Sequence, residues 1–290
     1  MFGRRREKAP RPAPQWTREK MLALLVGAGV LGLVLLVGLG LCVYYALQPS
    51  HHSADGGNGT TTSSTTSTSS STGGSGSGQD ARDALAAKPM ASVDDSASHP
   101  SAVSTLPPGA PIVLPAAVRN GPAGVPTGYP HTPEGAMAQL AAIDQVALQS
   151  GSLGTAREVI TQWAMPGGPN AATWSGVQAL SSLLTDTQTA GTSQLAIVFT
   201  PLMGQIKGTV GPDFVVPCID FELDVTLTQT ARGAVADCQR MVWQPDTTQS
   251  NGTGGRWMVG PGAEPATPPS VWPDTDLALS VGYRDLTKAS

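Results

Sequence analysis

PCIDFELDVTLTQTARGAVADC, residues 217 to 238, has a two-residue period: Phe221, Leu223, Val225 and Leu227 alternate with Asp220, Glu222, Asp224, Thr226 and Thr228. That period predicts a strand with one buried face and one wet face. Arg232-Gly233 has the composition of a hairpin turn, which would return the chain into a second strand over residues 234 to 244. The same stretch holds two of the chain's three cysteines, Cys218 and Cys238. Whether they are a metal site, a redox pair or a clip depends on the compartment they occupy.

Working outward, strand-like runs precede and follow this stretch, at residues 195 to 200, 205 to 210 and 256 to 259. Upstream the period becomes helical. Thr132, Pro133 and Glu134 supply a cap, a first-turn proline and a first-turn acid for a helix bearing Met137, Leu140, Ala141, Ile143 and Leu148. Thr155 with Glu158 has the spacing of a capping box for a second helix with Val159, Ile160 and Trp163, which Pro166-Gly167-Gly168-Pro169 ends. Asn170 is the expected cap of a third, lined by Trp174, Val177, Leu180, Leu183 and Leu184 and fading near Gln188. In the tail, Trp272, Leu277, Leu279, Val281 and Tyr283 suit an edge strand or short helix laid against the sheet. Helices first and long antiparallel strands after them predict an α+β domain, three helices packed on a curved antiparallel sheet, over residues 119 to 290.

The other end of the chain has a different composition. Residues 21 to 47 carry no charge and are rich in Leu, Val, Gly and Ala. As a helix they would reach about 40 Å at 1.5 Å per residue, enough to cross a bilayer with some tilt. Residues 1 to 20 carry seven Arg/Lys against two Glu, net +5, leaving −9 for the remainder of a chain whose total is −4. Basic residues on the N-terminal flank alone predict a single span with a cytoplasmic tail and an extracytoplasmic C-terminal part. A cleaved leader would have an apolar region about half this long and a small-x-small site, whereas this one ends Tyr44-Tyr45-Ala46-Leu47. Leu39-Gly40-Leu41-Cys42 resembles a lipoprotein box except that Leu41 stands where a small residue belongs. Ala28 and Gly32 have the small-xxx-small spacing that lets two spans approach, so a homo-oligomer is open.

Between span and domain, residues 48 to 118 lack hydrophobic periodicity. Residues 53 to 78 are nearly all Ser, Thr and Gly, and Pro89, Pro100, Pro107, Pro108, Pro111 and Pro115 follow, a composition expected of a disordered tether. Asn58-Gly59-Thr60 and Asn251-Gly252-Thr253 fit glycosylation acceptors.

The helix-then-sheet order resembles the nuclear transport factor 2-like or cystatin-like fold. The arrangement of basic tail, one span, tether and such a domain resembles anchored components of conjugative type IV secretion machines. The Ala/Gly/Thr-rich stretches PTGYPHTPEGAMAQL (126 to 140) and GRWMVGPGAEP (255 to 265) are similar to membrane proteins of actinobacterial conjugative elements. The resemblance implies a membrane-anchored interaction module whose partners are the membrane and other envelope or secretion-assembly proteins. An alternative is a module that binds a ligand or cell-wall component in a pocket between sheet and helices, and a second is an enzyme of the same fold.

Residue chemistry narrows these choices. Net acidity outside the basic tail argues against nucleic-acid binding by the outer domain. The four histidines are His51, His52, His99 and His131, so none falls in residues 134 to 290. Zinc sites and Ser-His-Asp or Cys-His arrangements need an imidazole on a rigid scaffold, so no catalytic residue, metal or cofactor is expected and the chain reads as a non-enzyme. Asp220, Glu222 and Asp224, with Asp237 approaching from the next strand, have the residue types to hold calcium or move a proton, and are expected to be a solvated outer face.

On the oxidising side of a membrane, without a C-x-x-C motif or a nearby histidine, Cys218 and Cys238 are expected to form a structural disulfide. The expected turn conflicts with this. A chain folded back at Arg232-Gly233 leaves the two cysteines about 30 Å apart, and a bridge needs Cα atoms within about 7 Å. Either Pro217-Cys218 folds back, the sheet bends hard, or the turn lies elsewhere, near Thr228 to Thr230.

Overall fold

The computed structural model describes residues 74 to 188, 195 to 246 and 254 to 289, all within one compact unit spanning residues 69 to 290. The basic tail, the apolar stretch at 21 to 47, Cys42 and both glycosylation acceptors lie outside the described residues. Among the described residues no helix is long and apolar enough to cross a membrane.

The architecture is α+β: a curled, mostly antiparallel sheet with a few helices. In chain order the elements are α1 (Gly74–Ala87), β1 (Ile112–Leu114), β2 (Arg119–Asn120), β3 (Pro126–Thr127), α2 (Pro133–Gln149), α3 (Leu153–Trp163), α4 (Ser175–Asp186), β4 (Ala196–Thr209), β5 (Phe214–Thr226), β6 (Thr230–Cys238), β7 (Met241–Pro245), β8 (Gly255–Val259), α5 (Asp276–Ser280) and β9 (Arg284–Lys288). The main sheet runs β1-β9-β4-β5-β7-β8, with β6 also on β5, and β2 pairs with β3 separately. β1 and β9 are parallel, and the other pairs are antiparallel.

Local chemistry accounts for the helix starts. Thr132 accepts a hydrogen bond from the Gly135 amide at 3.1 Å and Pro133 opens α2, as expected. The second helix starts earlier than the Thr155/Glu158 pattern predicts, because Ser152 accepts from the Thr155 amide at 3.3 Å. Asn170 does not cap α4. Its Oδ1 accepts from the amides of Ala172 and Thr173 in a preceding turn, and Glu264 supplies a carboxylate oxygen 3.0 Å from the Ser175 amide at the helix start. A carboxylate there also meets the positive end of the helix dipole.

The runs at 195 to 200 and 205 to 210 are one strand. β4 is continuous from Ala196 to Thr209 against β5, with register shifts at Pro201/Met203 and Ile206/Gly208. Bulges at those two places add residues to one strand only, which bends it and raises its twist.

The hairpin turns earlier than Arg232-Gly233. Thr226 pairs with Thr230 and Asp224 with Arg232, so Leu227-Thr228-Gln229 makes the turn and Gly233 lies within β6, opposite Leu223. Cys218 is then directly opposite Cys238, the Cα atoms are 4.1 Å apart and the disulfide is formed. Of the three alternatives left by the sequence, the displaced turn is the one found. The same register continues into β7, where Phe214 pairs with Val242. The ladder is interrupted where Gln239 faces Pro217, a residue with no amide hydrogen to donate.

One core lies between the sheet and α2, α3 and α4, and contains Met137, Leu140, Ile143, Ile160, Trp163, Trp174, Ile219, Phe221 and Trp257. Each such large side chain contributes roughly 2–3 kcal/mol of burial. The opposite sheet face is covered too: Met203, Phe214, Val216, Cys218, Cys238, Val242, Val271, Ala278 and Tyr283 form a second core. Its cover comes from the tail, as α5, β9 and the segment before them, and from residues 78 to 98, which were expected to belong to the tether. In that segment Ala86 is buried, its carbonyl accepts from Lys207 Nζ (2.8 Å) and from the Ala266 amide (3.0 Å), and Leu85 packs over Gly208. Asp83 pairs with the buried guanidinium of Arg240. Ordered structure thus begins before residue 119, the expected start of the domain: β1 at residues 112 to 114 pairs with β9.

Candidate functional site

The four carboxylates expected on one wet face do not converge. Pairing Asp220 with Ala236 and Ile219 with Asp237 sends Asp220 and Asp237 to opposite sides of the sheet. Only Glu222 and Asp224 behave as a solvent-side pair, bridged by Arg232, whose guanidinium also lies 5.1 Å over the Trp272 ring.

Asp220 is fully buried in the second core and its carboxylate oxygens meet no hydrogen-bonding side chain among the described residues. Burial pushes its carboxyl up to about 8, opposed by the backbone of Val271. The same burial, with Asp220 beside it, raises the Tyr283 phenol, whose hydroxyl donates to the Pro269 carbonyl at 2.9 Å. The expected solvated face fails because a two-residue period reports which residues alternate, and says nothing of what another segment lays over the polar side.

Asp237 faces the helices, where it meets a residue the sequence reading passed over. Asp144, in the middle of the apolar face of α2, is buried with both oxygens unpartnered. Its carboxyl is raised well above the usual range by burial, then by Asp237 and Glu264. Asp237 is raised by burial and by Glu264, and only its Oδ1 is held, by Gln239 Nε2 at 3.1 Å. Two mutually repelling carboxyls in an apolar core hold their protons to higher pH than a free aspartate, Asp237 up to about 7. The available signal was one acid inside AAIDQVA (141 to 147) at a core-facing helical position. Among the described residues no group of three or more His, Cys, Asp or Glu side chains is placed to hold a metal ion.

His131 packs in a ring cluster with Trp243 (stacked, centroids 4.3 Å apart) and Trp257 (5.4 Å), and its Nε2 lies 2.9 Å from Asp213 Oδ1. The disulfide has a cover of its own. Met90 places its thioether 3.7 Å from Cys218 Sγ and 3.6 Å from Cys238 Sγ, beside a groove of about 530 Å³ bounded by residues 90 to 98 and 267 to 270. Between α2 and the β1/β9 edge lies a cleft of about 330 Å³, lined by Leu114, Tyr129, Ala138, Ala141, Gln145 and Lys288 among others. Tyr129 is thereby placed at a sheet-helix pocket, while Tyr283 sits on the far side of the sheet.

Comparison with protein-family models, with curated proteins and with solved structures finds no match for this chain.

Proposed function

We propose that the chain is a membrane-anchored interaction module whose α+β domain is displayed outside the cytoplasm, as a structural component of a conjugative, type IV secretion-like assembly. The observation that carries this reading is the Cys218–Cys238 disulfide, closed between directly opposed residues of β5 and β6. Structural disulfides persist on the oxidising side of a membrane. That side is where the basic residues before the apolar stretch at 21 to 47 would send residues 48 to 290. The order of helices followed by a curled sheet is also compatible with a nuclear transport factor 2-like domain of the kind such assemblies use.

The test has two arms. Intact cells producing the full chain are treated with a membrane-impermeant maleimide with and without reductant. The expected result is labelling of Cys218 and Cys238 only after reduction. Two thiols labelled without reductant, or none labelled at all until the membrane is dissolved, overturns the topology. The second arm deletes the gene from a conjugation-competent host: an unchanged transfer frequency removes the assembly role while leaving the topology standing.

A further inference from the structure

The cleft beside Tyr129 has a composition that selects a ligand. Its floor is one face of α2 built from alanines, Ala138, Ala141 and Ala142, which let an occupant lie close to the helix. Its apolar walls include Leu114, Val146, Pro126 and Pro201. Among the described residues no acidic side chain lines it and the one cation in its lining is Lys288, which forms no ion pair among them. Tyr129 is mostly buried, and burial raises its phenol, so the hydroxyl stays protonated as a donor. It has no hydrogen-bond partner among the described residues. Gln145 donates one Nε2 hydrogen to the Phe199 carbonyl at 2.9 Å, which leaves its other N–H and its amide oxygen.

An apolar trough with a cation, a phenolic donor and no acid is complementary to an apolar body carrying one negative charge. The volume, about 330 Å³, is at the low end of small-molecule sites, which run roughly 300–1,000 Å³. We infer that this cleft binds a small apolar carboxylic acid, with the carboxylate on Lys288 and Tyr129 and the hydrocarbon part, a single ring or a short chain, on the alanine floor of α2. The inference is independent of the membrane reading, because it needs only the described domain.

The test uses the full chain in amphipol and two matched pairs of probes, 3-phenylpropionate with 3-phenylpropionamide and octanoate with octanamide, followed by ligand-observed magnetisation-transfer NMR and calorimetry. Each acid is expected to bind about tenfold more tightly than its amide, the scale of one charge-assisted hydrogen bond. Lys288→Gln should erase that discrimination, and Tyr129→Phe should weaken the acids by about threefold. Ala117→Trp, at the exposed rim and outside the fold's core, should block both acids and amides, while Lys88→Gln, distant from the cleft, should change neither. A preference for the phenyl acid or the octyl acid assigns the hydrocarbon part to a ring or an acyl chain. Equal binding of acid and amide, discrimination that survives Lys288→Gln, binding unaffected by Ala117→Trp, or no binding at millimolar acid would each overturn the inference.

Discussion

Asp220→Asn separates the pH dependence of this domain from its packing. Asparagine has nearly the shape of a protonated aspartate and does not ionise. In the folded chain burial holds the Asp220 carboxyl near 8, while in the unfolded chain it titrates near 3.8. A group raised on folding stabilises the native state below its unfolded pKa, and that contribution is lost as pH rises toward the folded value, at about 1.4 kcal/mol per pH unit. From pH 5.5 to 7.5 the loss attributable to Asp220 is about 3 kcal/mol. This is a large share of the 5–15 kcal/mol typical of a domain. Urea unfolding of the full chain at fixed ionic strength should therefore show wild-type stability falling across this range. The variant should match wild type only below about pH 4, already exceed it at pH 5.5, and widen that margin by up to about 3 kcal/mol by pH 7.5. The residual slope in the variant belongs to Asp144 and Asp237, which are raised in the same direction. Parallel profiles for the two proteins, or wild-type stability that rises with pH, would refute the burial of an ionisable Asp220.

Three further perturbations have defined outcomes. Replacing both Cys218 and Cys238 by Ser should lower the unfolding free energy by about 3 kcal/mol, from the loop that the disulfide closes, and an unchanged urea midpoint would contradict this. Met90→Ala removes the thioether lying on both sulfurs, so reduction by dithiothreitol should accelerate several-fold, with loss of the idea if the rates coincide. Gly262 sits at φ +104 with an added Cβ only 2.8 Å from the Arg240 guanidinium carbon, so Gly262→Ala should cost about 1–3 kcal/mol, read as a lower Tm.

Most of the helical layer was legible in the sequence, because caps are local: Thr132-Pro133 specifies the start of α2 within its own few residues. The disulfide was legible from residue type and expected compartment. The turn was not, since Arg232-Gly233 has turn composition, yet the alignment of β5 with β6 is fixed by long-range packing and by the cysteine pair. The wet face was misread for a related reason. Asp220, Glu222 and Asp224 look alike in sequence, and they part only because Val271, Tyr283 and the segment around Met90 cover one end of β5 and leave the other to Arg232. Residues 78 to 98 read as tether because Ala, Ser and Pro carry little hydrophobic signal. Their anchoring instead uses backbone carbonyls, an ion pair and scattered apolar side chains, Leu85, Met90 and Val93 among them.

The cysteine pair also settles which alignments of the hairpin are allowed. A slip of β6 along β5 by two residues would keep every side chain on its present face, so hydrophobic patterning alone opposes it weakly. It would, however, shift Cys238 about 7 Å along the strand from Cys218, and with the present 4.1 Å crossing the Cα atoms would stand about 8 Å apart, beyond the reach of a disulfide. A slip of one residue would turn Asp237 outward and bring alternate residues of β6 inward, at a cost in both cores. Just past the cysteines the ladder is interrupted at Pro217, which has no amide hydrogen to donate, so the covalent link pins strand alignment beside that gap.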